Sequence, residues 1–209
     1  MKLEDAIKTR TSQHYLVDPA PSDEEFLDIL RWAALAPDHG RLHPWRWILI
    51  RGTGRAALGL SFAAGCESSK ASRAAAIPLR APLLATLIFS PRLKHKVPCW
   101  EQLAATAGMA NSLMLLLHDR GYGSIWRTGP YTESADVRVM LDLDHSELIL
   151  GWFYIGTSDT NRTARERAPV PVASRVSKFR QAERLASVRA SRVGIERHLT
   201  ANRRLHTVA

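Results

Sequence analysis

The sequence is poor in the features that mark several protein classes. Its 209 residues hold only two cysteines, Cys66 and Cys99, and their spacing fits neither a metal site nor a redox pair. A disulfide framework is therefore excluded and reduced thiols are expected. No apolar run reaches the roughly twenty residues that a membrane-crossing helix needs. The least charged stretch, Leu103 to Leu117, is too short to span and reads as a buried helix. The opening MKLEDAIKTR is polar and has no apolar run of the secretory type, so a cytoplasmic location is expected. Neither GxGxxG nor GxxxxGK[ST] occurs, which removes the Rossmann and P-loop nucleotide sites. The GxSxG elbow of serine hydrolases is missing as well.

What is present is an ordinary globular composition, 45% apolar and 23% charged, with a formal net charge of +9. The length suits one domain with a substantial core. The charge is unevenly placed. Residues 172–209 hold nine Lys/Arg against two Glu, leaving a charge of only +2 on the first 171 residues. A basic pI of about 10.1 therefore describes a tail, and nucleic acid is not expected as a partner of the folded body.

Periodicity and punctuation give the elements. A short helix is expected in LEDAIKTR. Ser22-Asp-Glu-Glu25 is an S-x-x-E capping box that opens a helix through Phe26, Ile29, Leu30, Ala33 and Ala34, which Pro37 ends. Arg46 to Arg51 is a strand closed by Gly52, and an alanine-rich helix follows from Arg55 to Ala64. Leu83 to Phe89 is continuously apolar between Pro82 and Pro91 and reads as an interior strand. Trp100 to Arg120 is the longest helix, apolar nearly all round and so expected at the centre of the fold or at a subunit interface. Gly121 ends it. Residues 122–126 (YGSIW), a Thr132-Glu-Ser134 turn capping a helix through Met140, and a strand from Ile149 to Ile155 complete the body. The class is mixed α and β, a sheet covered by helices on both faces.

Three clusters bear chemistry. Arg10-Thr11-Ser12 joins a guanidinium fork to two hydroxyls, a donor set suited to phosphate and equally to a solvated turn after a helix. The stretch Gly121-Tyr122-Gly123-Ser124-Ile125-Trp126-Arg127-Thr128-Gly129-Pro130 offers close backbone approach, stacking and charge to a flat ligand. His95-Lys96-Val97-Pro98-Cys99-Trp100-Glu101 begins the long helix. Beside these, AALAPDHGRLHPWRW (33–47) crowds His39, His43, Asp38, Arg41, Arg46 and two tryptophans together. His39 and His43 have the i, i+4 spacing of a zinc-binding helix, but Gly40 between them and Pro37 and Pro44 around them make the stretch a loop.

In this order along the chain, the motifs "TRTS", "PAPSDEEFLDILRWAALAPDHGRLHPWRW", "HKVPCWEQ", "GYGSIWRTGPYTES" and "GWFYIGT" resemble the FMN-dependent nitroreductase superfamily, in particular its small, minimal NAD(P)H nitroreductase subgroup. The resemblance covers about residues 3 to 179. It implies an α+β, nitroreductase-like fold, a central mixed or antiparallel sheet covered by helices. It also implies an obligate homodimer with two FMN sites at the interface. Arg10, Thr11 and Ser12 would hold the FMN phosphate and ribityl end, while His39 and residue 35, here Leu35, would reach the flavin of the other subunit. Gly121, Tyr122, Gly123, Ser124, Ile125 and Trp126 would meet the nicotinamide cofactor, and Tyr131, Thr132 and Glu133 would return to FMN. The crowded loop becomes a cofactor floor with Trp45 and Trp47 packed beneath it. No side chain is assigned as catalytic acid or base, Arg127 and Gly129 being positioning candidates, and no metal is expected.

The sequence departs from that pattern at Leu35, where an arginine is usual, at His43, where a glutamine precedes Pro-Trp, and at Arg41, where the wider family has an asparagine. It also continues past Phe179, so the nitroreductase-like domain is expected over residues 1–179 and a basic amphipathic extension over 180–209. The activity implied is transfer of a hydride from NAD(P)H through FMN to a small electron acceptor, a nitroaromatic or quinone, by a ping-pong course. The rivals are a flavoenzyme of the same fold with other reductive chemistry, and a non-catalytic protein whose tail binds nucleic acid or an anionic surface.

Overall fold

The computed structural model of the chain describes residues 1–158, 168 and 170–179. By internal contacts the chain divides into two compact units, Met1–Glu166 and Arg167–Ala209. In the second, Val172–Arg175 forms one 3-10 turn. The amphipathic extension expected over 180–209 lies outside the described residues.

The first unit is built on a sheet of five strands: β1 (Leu16–Val17), β2 (Trp45–Ile50), β3 (Leu83–Phe89), β4 (Tyr122–Arg127) and β5 (Leu148–Ser158). β5 is the hub, pairing antiparallel with β3, β4 and β1, and β3 pairs antiparallel with β2. Side chains alternate across the sheet as the two-residue period requires. Leu84 and Ile88 of β3, with Trp152 and Tyr154 of β5, face one core together with Leu58, Phe62 and Val137. Leu83, Ala85 and Leu87, with Phe153 and Ile155, face the other, together with Phe26, Ile29, Met109 and Leu113. Helices therefore cover both faces. α3 (Gly52–Ala64), α4 (Ser68–Ala75) and α6 (Ala135–Met140) lie on the first; α2 (Asp23–Ala33) and α5 (Cys99–Asp119) lie on the second. α1 (Leu3–Thr9) contacts α5.

Each boundary has a local cause. At α2 both halves of the capping box form: Ser22 Oγ accepts from Glu25 N–H at 3.1 Å, and Glu25 Oε2 accepts from Ser22 N–H at 2.8 Å. α2 stops at Ala33, before Pro37, because the chain turns at once through Leu35 and Ala36, whose N–H groups bond to Trp32 and Ala33 carbonyls. β3 spans the residues expected of it and is buried throughout, since both its faces are covered. α3 begins at Gly52, three residues earlier than the alanine-rich pattern alone suggests, because Gly52 at φ +50° turns the chain directly out of β2.

The loop between α6 and β5 is fixed by charge. Arg46 on β2 donates from Nε and Nη2 to Glu147 at 2.7 and 2.6 Å, and Arg138 donates to the carbonyls of Glu147 and Asp144. The buried Glu147 carboxyl is held below its ordinary range, chiefly by the Arg46 hydrogen bonds. A depressed carboxylate pKa contributes stability above the unfolded-state value of about 4.3 and loses it as pH falls through the folded-state value. Glu147→Gln is therefore expected to cost about 2 kcal/mol at neutral pH. Urea melts of both proteins should converge only as pH falls through the depressed folded-state value of Glu147, below the unfolded-state value of about 4.3.

Candidate active site

Six of the expected residues, Arg10, Thr11, Gly121, Tyr122, Gly123 and Ser124, meet where α1 ends. Arg10, Thr11, Gln13, His118, Gly121, Tyr122, Gly123, Ser124, Ser158 and Met1 line a cavity of about 290 Å³. The segment after α1 runs beside β4: Ser12 makes a parallel bridge to Ser124, and Gln13 N–H donates to Ser124 O at 3.1 Å. Side chains then pass hydrogen bonds inward. Ser158 Oγ donates to Gln13 Oε1 at 3.1 Å, and Gln13 Nε2 donates to Thr11 Oγ1 at 2.9 Å. Thr11 thus accepts from within the protein and keeps its own hydroxyl proton as a donor. Gln13, His118 and Ser158 were not among the expected residues.

The glycine-rich strand divides in two. Gly121 at φ +86° ends α5, and Tyr122, Gly123 and Ser124 reach the cavity. At Gly123 a Cβ would stand 2.7 Å from Leu16 Cδ2 and crowd the Gln13 side chain, so any side chain there makes Leu16 or Gln13 shift. Tyr122 donates to the Glu25 carboxylate at 3.2 Å, and its phenol is raised above the usual range by burial first and then by Glu25. Ile125 and Trp126 instead serve the core. Ile125 is buried on the first face. Trp126 stacks on Phe153 with centroids 4.9 Å apart and donates to Leu150 O at 2.8 Å.

At the far end of β4, roughly 17 Å along its six residues, Tyr131 lines a second cavity of about 200 Å³ with Arg80, Arg127, Thr128, Trp152 and Tyr154. Tyr131 stacks flat on Phe62, centroids 4.2 Å apart at 2°. Burial pushes the Tyr154 phenol up to about 12 against the pull of Arg127 and Arg80. Neither arginine has an ion-pair partner among the described residues, and the buried indole N–H of Trp152 has no acceptor there. Thr132 spends its hydroxyl proton on Gly129 O at 2.8 Å, and Glu133 is exposed.

Leu35 and His39 lie elsewhere. Leu35 is 73% exposed. His39 Nδ1 stands 2.7 Å from Glu101 Oε2 in the first turn of α5, so the loop after α2 and the "HKVPCWEQ" motif meet. Arg41 and His43 have positive φ, and the Asp38 carboxylate accepts from His43 N–H at 2.7 Å, which helps fix the loop. No cluster of metal ligands exists among the described residues. Trp47 packs edge-on between Phe26 and Phe153 in the second core, with Trp45 partly buried against that core and edge-on to His43. Glu101 and His118 stand at opposite ends of α5, seventeen residues and roughly 25 Å apart. One chain therefore holds the Arg10 and His39 groups at opposite ends of α5.

The antiparallel sheet covered by helices on both faces is shared with solved structures of the nitroreductase-like fold. A Bacillus cereus nitroreductase-like protein has this fold with a TM-score of 0.76 at 23% identity, over 86% of this chain and 96% of its own. The FMN- and NADPH-dependent nitroreductase NfnB of "sphigopyxis sp. strain HMH" has it with a TM-score of 0.65 at 20% identity, over 86% and 99%. The model of the Nitroreductase family matches residues 6–157. The Escherichia coli K12 protein named "Putative NAD(P)H nitroreductase YdjA" is 33% identical over 167 residues, 78% of this chain and 91% of that protein. The chain belongs to the nitroreductase family and is an oxidoreductase. No helix among the described residues is long and apolar enough to cross a membrane.

Proposed function

We propose that the chain is an FMN-dependent oxidoreductase, a homodimer that carries a hydride from NAD(P)H to a small electron acceptor such as a nitroaromatic or quinone. The observation that carries this reading is the pair of cavities at the two ends of β4. One presents Arg10 and the Thr11 hydroxyl; the other presents aromatic walls, Arg80 and Arg127 with no ion-pair partner among the described residues, and a buried Trp152 N–H with no acceptor among them. Donors at one end and flat apolar surface at the other suit a molecule with a phosphate at one end and a polar, planar ring at the other.

Arg10, Thr11 and Ser12 would hold the phosphate and ribityl end; Tyr131, Thr132 and Glu133 would stand at the ring end. Gly121, Tyr122, Gly123 and Ser124 line the phosphate-end cavity beside Arg10, away from the ring end where a nicotinamide must meet the flavin, and Ile125 and Trp126 support β4 from the core. When bound, FMN would supply the two-electron chemistry, with the protein fixing its orientation. Tyr154 stays neutral at physiological pH and so adds no charge to the ring end.

The separation of Leu35 and His39 from Arg10 supports a site completed by a second copy, in which Leu35 and His39 of the partner subunit close over the ring. α2 and α5 carry exposed Leu27, Trp32, Trp100 and Leu103, an apolar surface of the kind two such copies would bury. Leu35 in place of arginine leaves that closure apolar on one side. The basic tail supports no nucleic-acid reading of the body, whose own charge is only +2.

If donor and acceptor use the same face in turn, initial-rate plots against NAD(P)H at several acceptor concentrations are parallel lines. Converging lines would show both bound at once and overturn the shared-face reading.

A further inference from the structure

The cavity that holds Arg10 contains a second ionisable nitrogen base, His118, near the end of α5. Its position is set by α1. The Thr9 hydroxyl donates its one proton to the Asp5 carbonyl at 2.7 Å, the Met1 thioether at 3.8 Å being a far weaker partner. Towards His118 Nε2, 2.8 Å away, Thr9 must therefore accept. Nε2 carries the ring's proton, and Nδ1, with no partner among the described residues, is the nitrogen left to titrate.

We propose that His118 is a proton-dependent anion contact: protonated at Nδ1, it becomes the second cation beside Arg10 and tightens the hold on a phosphate monoester. The inference deepens the FMN reading and rests on it for the identity of the phosphate. Binding of the dianion takes up one proton onto Nδ1, and release returns it.

The surrounding charges set the direction. From the α1 segment come Arg10, the Met1 ammonium and Asp5. Its own helix adds Asp119, bound at 2.8 Å by the Met1 ammonium, and Arg120, bound at 2.8 Å to Asp28 of α2. β4 adds Tyr122, which is bonded to Glu25 of α2. Burial first, and Arg10 second, hold His118 below the usual histidine range; Asp119 pulls the other way, with its charge already engaged by Met1. The unliganded cavity thus keeps the ring neutral near neutral pH. A dianion reverses the balance by offsetting Arg10, so the bound-state pKa is the higher one. Affinity is then greatest below the bound-state value and falls as pH rises through it.

The test uses the full chain and two probes, FMN and inorganic sulfate, whose charge does not change in this range. Between pH 6.5 and 8.5, above the phosphate's second ionisation at about 6, FMN affinity of the wild type should fall by about tenfold, the equivalent of one charge-assisted hydrogen bond. His118→Gln, whose amide can still donate to Thr9, should show no such slope, and riboflavin, without phosphate, should show none with either protein. Independently, ¹⁵N NMR of the wild type should show Nδ1 titrating and the His118 pKa rising on addition of sulfate. Equal slopes for FMN in both proteins, or a His118 pKa unmoved by sulfate, would overturn the inference. Absence of FMN binding at every pH would instead overturn the flavin reading, and the sulfate titration would still decide the role of His118.

Discussion

Replacing Arg10 with alanine weakens FMN binding by roughly ten- to a hundredfold. The guanidinium is expected to face a phosphate dianion, and a hydrogen bond to a charged group contributes about 1.5 to 3 kcal/mol. Thr11 remains as a donor because Gln13 holds it from behind, so binding is reduced and not abolished. Titrating apo-protein with FMN reads the effect directly. Arg10→Lys should recover only part of the loss, since a point charge cannot reproduce the fork. An unchanged affinity for Arg10→Ala would remove this residue from the site.

Gly59→Val lowers the stability of the fold by about 3 kcal/mol, at the upper end of what overpacking usually costs. A Cβ at Gly59 would stand only 2.2 Å from the Ala75 carbonyl oxygen. The obstacle is backbone, so no rotamer change relieves it, and α3 and α4 must part. Urea unfolding should show a lower midpoint with an unchanged slope. A midpoint equal to wild type would mean that the α3–α4 contact yields at little cost.

Much of this architecture is legible in the sequence because local rules decided it. β3 is a run of seven apolar residues between prolines, and only burial on both faces suits such a run. The Ser22 capping box reads directly from four residues. α5 is longer and more apolar than one face requires: in the chain alone it buries Gln102, Ala105, Met109, Ala110, Leu113 and Leu117 and leaves Trp100 and Leu103 in solvent. The pattern announced a helix with two apolar sides, and the single chain covers one.

The site was less legible because its walls come from distant ends of elements. Gln13, His118 and Ser158 join Arg10 only because α5 and β5 both finish beside α1. His118 carried a signal, an ionisable ring at the end of an otherwise apolar helix, but its neighbour Thr9 lies 109 positions away. Ile125 and Trp126 show the reverse. Their place in a glycine-rich motif suggested a ligand contact, whereas they pack into opposite cores of the sheet, as strand alternation demands. Gly123 is explained by Leu16 and Gln13 of its own chain, so a bulky residue there tests packing before it tests nicotinamide access.

The central claim is that the chain binds FMN and reduces it with a nicotinamide. The direct measurement is anaerobic stopped-flow mixing of the FMN-loaded protein with NADH and with NADPH, following the flavin's visible absorbance. The account predicts saturable loss of that absorbance with at least one of the two, far faster than with free FMN at the same concentration. Loss no faster than free FMN with both would contradict it.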